Sequence, residues 1–212
     1  MKNEEIFIIE TDKNLEYIDE LILHLNKNMK NIMDFFGLKN LKSKIKIIIW
    51  NDLEQYKKHI EKFYNYQDYM CADTNDGNIN VLSLEVAHKT NEHFLMTLED
   101  MKSIICHEFV HICQQNFEIE KLDNDIIWFW EALATNLGNK EKFVKIPINA
   151  TYEEINNFNS LENNYLICYT IGSYLFDKIS HKKILEYVKY PSHLQKDSKK
   201  IISDAIKWSK DF

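Results

Sequence analysis

Apolar residues return along this chain with two different periods, and the change of period outlines its elements. Leu15, Ile18, Leu21, Ile22, Leu25, Met29, Ile32, Met33 and Phe36 recur every three or four residues, the spacing that lines one face of an α-helix. Gly37 follows, as a helix stop should. The flanking pattern is different. Residues 6–10 form a short apolar run, and Lys44-Ile45-Lys46-Ile47-Ile48-Ile49-Trp50 alternates before turning wholly apolar. Both predict strands, the second buried on both faces. Asp52 is placed to cap a helix reaching about residue 64. Strands at residues 69–73 and 78–84 are expected to pair as a hairpin across Asn75-Asp76-Gly77, since Asp-Gly supplies the residues of a tight turn.

After residue 97 only helical signals remain. Thr97-Leu98-Glu99-Asp100 has capping-box spacing and opens a helix over about 99–116. Asp123 or Asn124 opens a second, to about 137. Thr151-Tyr152-Glu153-Glu154 repeats the capping pattern, and helices are expected at about 160–179, 182–190 and 198–210. There is no internal repeat and no evident linker. The fold class is therefore α+β, with a small N-terminal mixed sheet and an all-helical C-terminal part.

Composition refines this picture. The chain of 212 residues can form one domain with a sizeable core, in two lobes of about 1–116 and 117–212. Only 4 glycines and 2 prolines favour helices and short loops over a sandwich or barrel. A net charge of -7 argues against nucleic acid or an anionic membrane as partner. No run of 18 apolar residues predicts a membrane span. Met1-Lys2-Asn3-Glu4-Glu5-Ile6 lacks the basic start and apolar run of a signal peptide, so a cytoplasmic location is expected unless a leader has been trimmed. Cys71, Cys106, Cys113 and Cys168 form no Cys-x-x-Cys pair and are read as small buried hydrophobes. His181 and His193 are read as surface residues.

The chemistry lies on two of the predicted helices. His107-Glu108-Phe109-Val110-His111 sets two histidines one helical turn apart on one face, so both imidazoles can aim at one point. Glu108 stands about 100° round the same turn, too far to ligate with them but near enough to reach a water beside the ion. Glu131 follows in Trp128-Phe129-Trp130-Glu131-Ala132-Leu133-Ala134, where a lone carboxylate is costly to bury and a metal would neutralise it. Two histidines and one glutamate, with a fourth position open, form a known ligand set for catalytic Zn²⁺.

His107-Glu108-x-x-His111 followed by Glu131-Ala132-x-Ala134 resembles the gluzincin clan of zinc metallopeptidases, and most of all its small bacterial members, the peptidase-MA-like domains or minigluzincins. The resemblance implies a zincin-like fold and a peptidase acting on a peptide or protein substrate. In it His107, His111 and Glu131 hold Zn²⁺, and Glu108 is the general base that later hands its proton to the leaving amine. It implies an oxyanion donor at the start of the tyrosine-rich helix, Tyr165 or, one turn later, Tyr169. It implies that the strand before the active-site helix edges the cleft, so that Asn80, Val81 and Leu82 pair with an extended substrate. Two positions depart from the family pattern. Ala132 stands where glycine is frequent. Thr135 stands where thermolysin-type enzymes carry an aspartate that orients the first histidine, and it is expected to accept that N–H more weakly. The chain lacks the Gly-Ala-Met-Glu-Asn motif of the aminopeptidase branch, which favours an endopeptidase.

Three alternatives stay open at this level: an inactive relative that keeps metal for stability, a regulator that cuts a single repressor, and a non-enzymatic module that holds an extended peptide.

Overall fold

The computed structural model describes residues 6–63, 65–74, 77–117, 120, 126–138 and 142–212. The class is α+β. The chain divides into two units, Met1–Ile112 and Cys113–Phe212, and the division falls inside one helix.

The first unit is organised by a four-stranded mixed sheet of order β1-β2-β4-β3. Its strands are β1 (Phe7–Glu10), β2 (Ile45–Trp50), β3 (Ala72–Asp73) and β4 (Ile79–Leu82). β1 and β2 are parallel, with Phe7 opposite Ile45. β2 and β4 are parallel, with Ile47 opposite Ile79, and β3 is antiparallel to β4. Parallel neighbours need a crossover, and α1 (Ile18–Phe36) supplies the first. It buries Leu21, Leu25, Met29, Ile32, Met33 and Phe36, the stripe read from the sequence. Each such side chain contributes roughly 1.5–3 kcal/mol when fully buried. Gly37, at φ 65°, ends α1: its N–H donates to Asp34 O, and the Leu38 N–H donates to Met33 O at 3.0 Å. That pair of bonds is a Schellman stop, which needs a left-handed residue.

In β2 one face is fully buried, while Ile48 and Trp50 on the other are half-buried. α2 (Leu53–Ile60) starts as expected, with Asp52 Oδ1 accepting from the Gln55 N–H at 2.9 Å. It ends earlier than the sequence suggested, and residue 64 lies outside the described residues. Tyr56 and Ile60 of α2 pack with Leu82, Met96, and Val86 and Ala87 of α3 (Leu84–Ala87).

The hairpin is present but short, with Ala72 opposite Val81 and Asp73 opposite Asn80. Gly77 has the positive φ of a turn glycine, 77°, while Asn75 and Asp76 lie outside the described residues. One expectation is overturned here. The strand carrying Asn80, Val81 and Leu82 is not an edge: β2 pairs with it on one side and β3 on the other. All three residues are fully buried, and the Leu82 N–H is already donated to Cys71 O. Their backbone groups are taken by the protein's own strands, so no extended peptide can add there. The predicted strand also stops at Leu82, because Ser83 opens α3. The Trp50 Nε1–H donates to Asn80 Oδ1 at 3.1 Å.

Most of α4 (Leu98–Phe117) belongs to the first unit, and its last residues to the second. The second unit continues with α5 (Ile127–Gly138), α6 (Tyr152–Asn156), α7 (Asn164–Lys178), α8 (His181–Lys189) and α9 (Pro191–Trp208). The predicted start of α5, at Asp123 or Asn124, lies outside the described residues. α5 and α7 pack closely because Gly172 leaves room: a Cβ there would run into Ala132 O and Asn136 Nδ2. Asn136 ties the two helices, donating to Ala132 O at 2.9 Å and Tyr169 O at 3.0 Å while accepting from Ser173 Oγ at 3.1 Å. The capping box predicted at Thr151 and Glu154 is present.

α9 begins before the expected residue 198. Pro191 occupies its first turn, where a missing N–H costs nothing. The polar run after Pro191 hides a regular buried stripe of Leu194, Ser198, Ile201, Ile202 and Ala205. Ser198 is buried against Tyr152, with 2.9 Å between the two hydroxyl oxygens.

Candidate metal centre

α4 is started by the cap read from the sequence. Asp100 Oδ2 accepts from both the N–H and the hydroxyl of Thr97 at 2.6 Å, and the Asp100 N–H donates to Thr97 Oγ1 at 3.1 Å. The helix then runs unbroken to Phe117, so His107 and His111 face the same way one turn apart. His107 is 7% exposed and His111 half-buried. Their rings meet edge to face, with centroids 4.9 Å apart, and the two Nε2 atoms lie 3.2 Å from one another.

That distance has a chemical meaning. Two nitrogens each about 2.0–2.1 Å from a tetrahedral ion stand roughly 3.3 Å apart. The pair therefore has the spacing of adjacent ligands. Glu131 supplies the third donor. It is half-buried on α5, beside fully buried Trp128, Phe129, Ala132, Leu133 and Ala134. The ligand atoms of His107, His111 and Glu131 all lie within 4.8 Å of one another. Two imidazoles and a carboxylate suit a divalent transition metal, and three protein donors leave a fourth position open. The residues present fit such an ion.

Glu108 is half-buried on the neighbouring stripe of α4 and is not part of this group. Thr135 departs from expectation. It is fully buried, and its hydroxyl donates along its own helix, to Glu131 O at 2.7 Å and Ala132 O at 3.2 Å. Among the described residues it bonds no histidine; it acts on the backbone of Glu131. An ordinary threonine–carbonyl bond within one helix takes this hydroxyl, because the i−4 carbonyl is the acceptor nearest to hand.

Tyr165 and Tyr169 lie one turn apart on α7. Tyr165 is 43% exposed and sets its ring edge-on against Phe158, at 5.4 Å. Tyr169 is half-buried against Phe143, at 5.6 Å, and its carbonyl accepts from Asn136. Helical spacing puts both on the side of α7 that carries Gly172.

The cysteines behave as hydrophobes, and none of the four is in a disulfide. Burial pushes the thiols of Cys106 and Cys113 up to about 12. Cys168 is raised well above the ordinary thiol range, first by complete burial and then by the charge of Glu131.

One contact was not read from the sequence. Gln114 follows His111 by three residues and is 4% exposed. Its Nε2–H donates to the carbonyl of Trp130, the residue before Glu131, at 3.1 Å. A polar residue continuing the histidine stripe was the available signal.

No family model, curated protein or solved structure matches the chain. Among the described residues no helix is long and apolar enough to cross a membrane.

Proposed function

We propose that the protein is a zinc-dependent peptidase, with an endopeptidase the favoured form. The observation that carries this reading is the convergence of His107, His111 and Glu131, above all the 3.2 Å between the histidine Nε2 atoms. Zinc held by these residues would supply Lewis acidity, making a water nucleophilic near neutral pH and polarising a peptide carbonyl. Glu108 follows His107 directly, so its carboxylate is fixed to the same turn as the ligands. In this reading it accepts the proton of the attacking water and later returns it to the leaving amine, which must depart neutral. Tyr165 or Tyr169 would donate its phenolic hydrogen to the oxygen that gains charge. Glu131 lies beside fully buried Trp128, Phe129, Ala132, Leu133 and Ala134, where a cation would offset the cost of holding its charge.

The decisive experiment pairs metal analysis with digestion of a peptide library. About one zinc per chain is expected, lost in His107→Ala and in Glu131→Ala, together with cleavage that Glu108→Gln abolishes. Full zinc occupancy in both ligand variants would refute the centre. A zinc-replete protein that cuts no peptide would refute the peptidase and leave a metal-binding protein.

A further inference from the structure

Gln114 is an unexpected residue to bury. Its amide is nearly solvent-free at 4% exposure, where a leucine would pack without needing a partner. At about 100° per residue, position 114 falls within roughly 20° of His107 around α4 and one turn beyond His111. The side chain thus continues the ligand stripe. Its Nε2–H donates to the backbone oxygen of Trp130 at 3.1 Å.

The choice of that acceptor matters. Within α5 the Trp130 carbonyl belongs to the helix's own i to i+4 ladder, so it needs no second donor to be satisfied. The peptide plane that holds this oxygen also holds the nitrogen of Glu131. A donor fixed on α4 therefore holds the backbone from which the glutamate ligand departs. Thr135 holds the far side of the same residue, its hydroxyl on Glu131 O at 2.7 Å. The glutamate's two peptide planes are each pinned by a buried side chain, one from α4 and one from α5.

We infer that Gln114 is a positioning residue for the third metal ligand: it fixes the Glu131 backbone against the same helix that carries both histidines. This rests on the metal reading above and adds to it. The role resembles that of partners that orient ligands from behind, whose loss costs about 10–100-fold in metal affinity. It differs in acting on the ligand's main chain, which the ion's own bond to the side chain cannot fix.

The test uses the full chain and Gln114→Met, which keeps length and bulk and deletes the donor. Zinc affinity is measured by chelator competition, the visible spectrum is recorded with Co²⁺ in place of zinc, and metal-free unfolding is followed by circular dichroism. Zinc affinity is expected to fall about 10–100-fold and the cobalt bands to shift, with metal-free unfolding little changed. A variant that binds zinc within twofold of the wild type and gives the same cobalt spectrum overturns the inference, as does an affinity loss fully matched by lost metal-free stability. If Gln114→Met does not fold, Gln114→Asn, which withdraws the donor by one methylene, decides by the same affinity and spectrum. A His107→Ala chain that binds zinc as tightly as the wild type would sink the metal reading, and this inference with it.

Discussion

Replacing Gly172 with alanine sets two known effects against each other. On an exposed helix face the change would stabilise, because alanine is about 1 kcal/mol better than glycine in a helix interior. Here Gly172 is buried between helices, and the new methyl would overlap Ala132 O and the Asn136 amide. Overpacking of this kind costs about 1–3 kcal/mol. Moving Asn136 aside also weakens its bonds to Ala132 O, Tyr169 O and Ser173 Oγ, now 2.9, 3.0 and 3.1 Å, at roughly 0.5–1.5 kcal/mol each. The opposing terms leave Gly172→Ala less stable by about 2–5 kcal/mol. At about 2–4 °C per kcal/mol for a chain of this size, Tm should drop by roughly 4–20 °C, measured by circular dichroism on heating. Asn136→Ala tells the two obstacles apart. The amide can be deleted, but the Ala132 carbonyl is backbone and cannot move cheaply. Gly172→Ala should therefore remain destabilising, by a smaller amount, in the Asn136→Ala background. A Gly172→Ala protein with an unchanged or higher Tm would refute the close approach of α5 and α7.

Three further outcomes are expected. Glu108→Gln should keep zinc, as it leaves all three ligands intact, and lower peptide turnover by at least about 10²-fold; an active variant would mean another group is the base. Tyr165→Phe should reduce kcat by about 10²–10³-fold with little change in KM if it is the oxyanion donor, and Tyr169→Phe should then be nearly silent; the reverse pattern moves the role one turn along, and two silent variants remove it from α7. Alkylation of the folded protein should be confined to Cys71, which is half-buried where Cys106, Cys113 and Cys168 are buried, and mass analysis showing fast labelling at any of those three would contradict their packing.

The parts legible in the sequence are those governed by near neighbours. The α1 stripe, its Gly37 stop and the caps at Asp52, Thr97 and Thr151 need only a few consecutive residues, and all of them are present. The ligand group was legible for a related reason: His107 and His111 share one helix, and Glu131 betrays itself as a charge in an apolar run. The rest depends on partners far along the chain. Residues 78–84 read as a strand, but whether it lies inside the sheet depends on β2, about thirty residues earlier, and no local pattern reports that. Gln114 finds its acceptor sixteen residues further along, on another helix, and only the packed helices bring the two together. The start of α9 was masked by polarity, since residues 195–200 are all polar and leave Leu194 isolated in the pattern.

The Trp50–Asn80 bond has a consequence for folding fidelity. Every residue of β4 is fully buried, so burial of apolar surface alone does not tell one alignment of β2 and β4 from a shifted one. The isoleucines of β2 would find apolar neighbours either way. The indole N–H and the Asn80 amide would not: displaced, they lose this part-buried bond, at about 0.5–1.5 kcal/mol. One polar pair thus serves as a frame mark for the parallel strands. Replacing Asn80 with leucine would add apolar surface and erase the mark, leaving a sheet that is greasier and less certain of its own alignment.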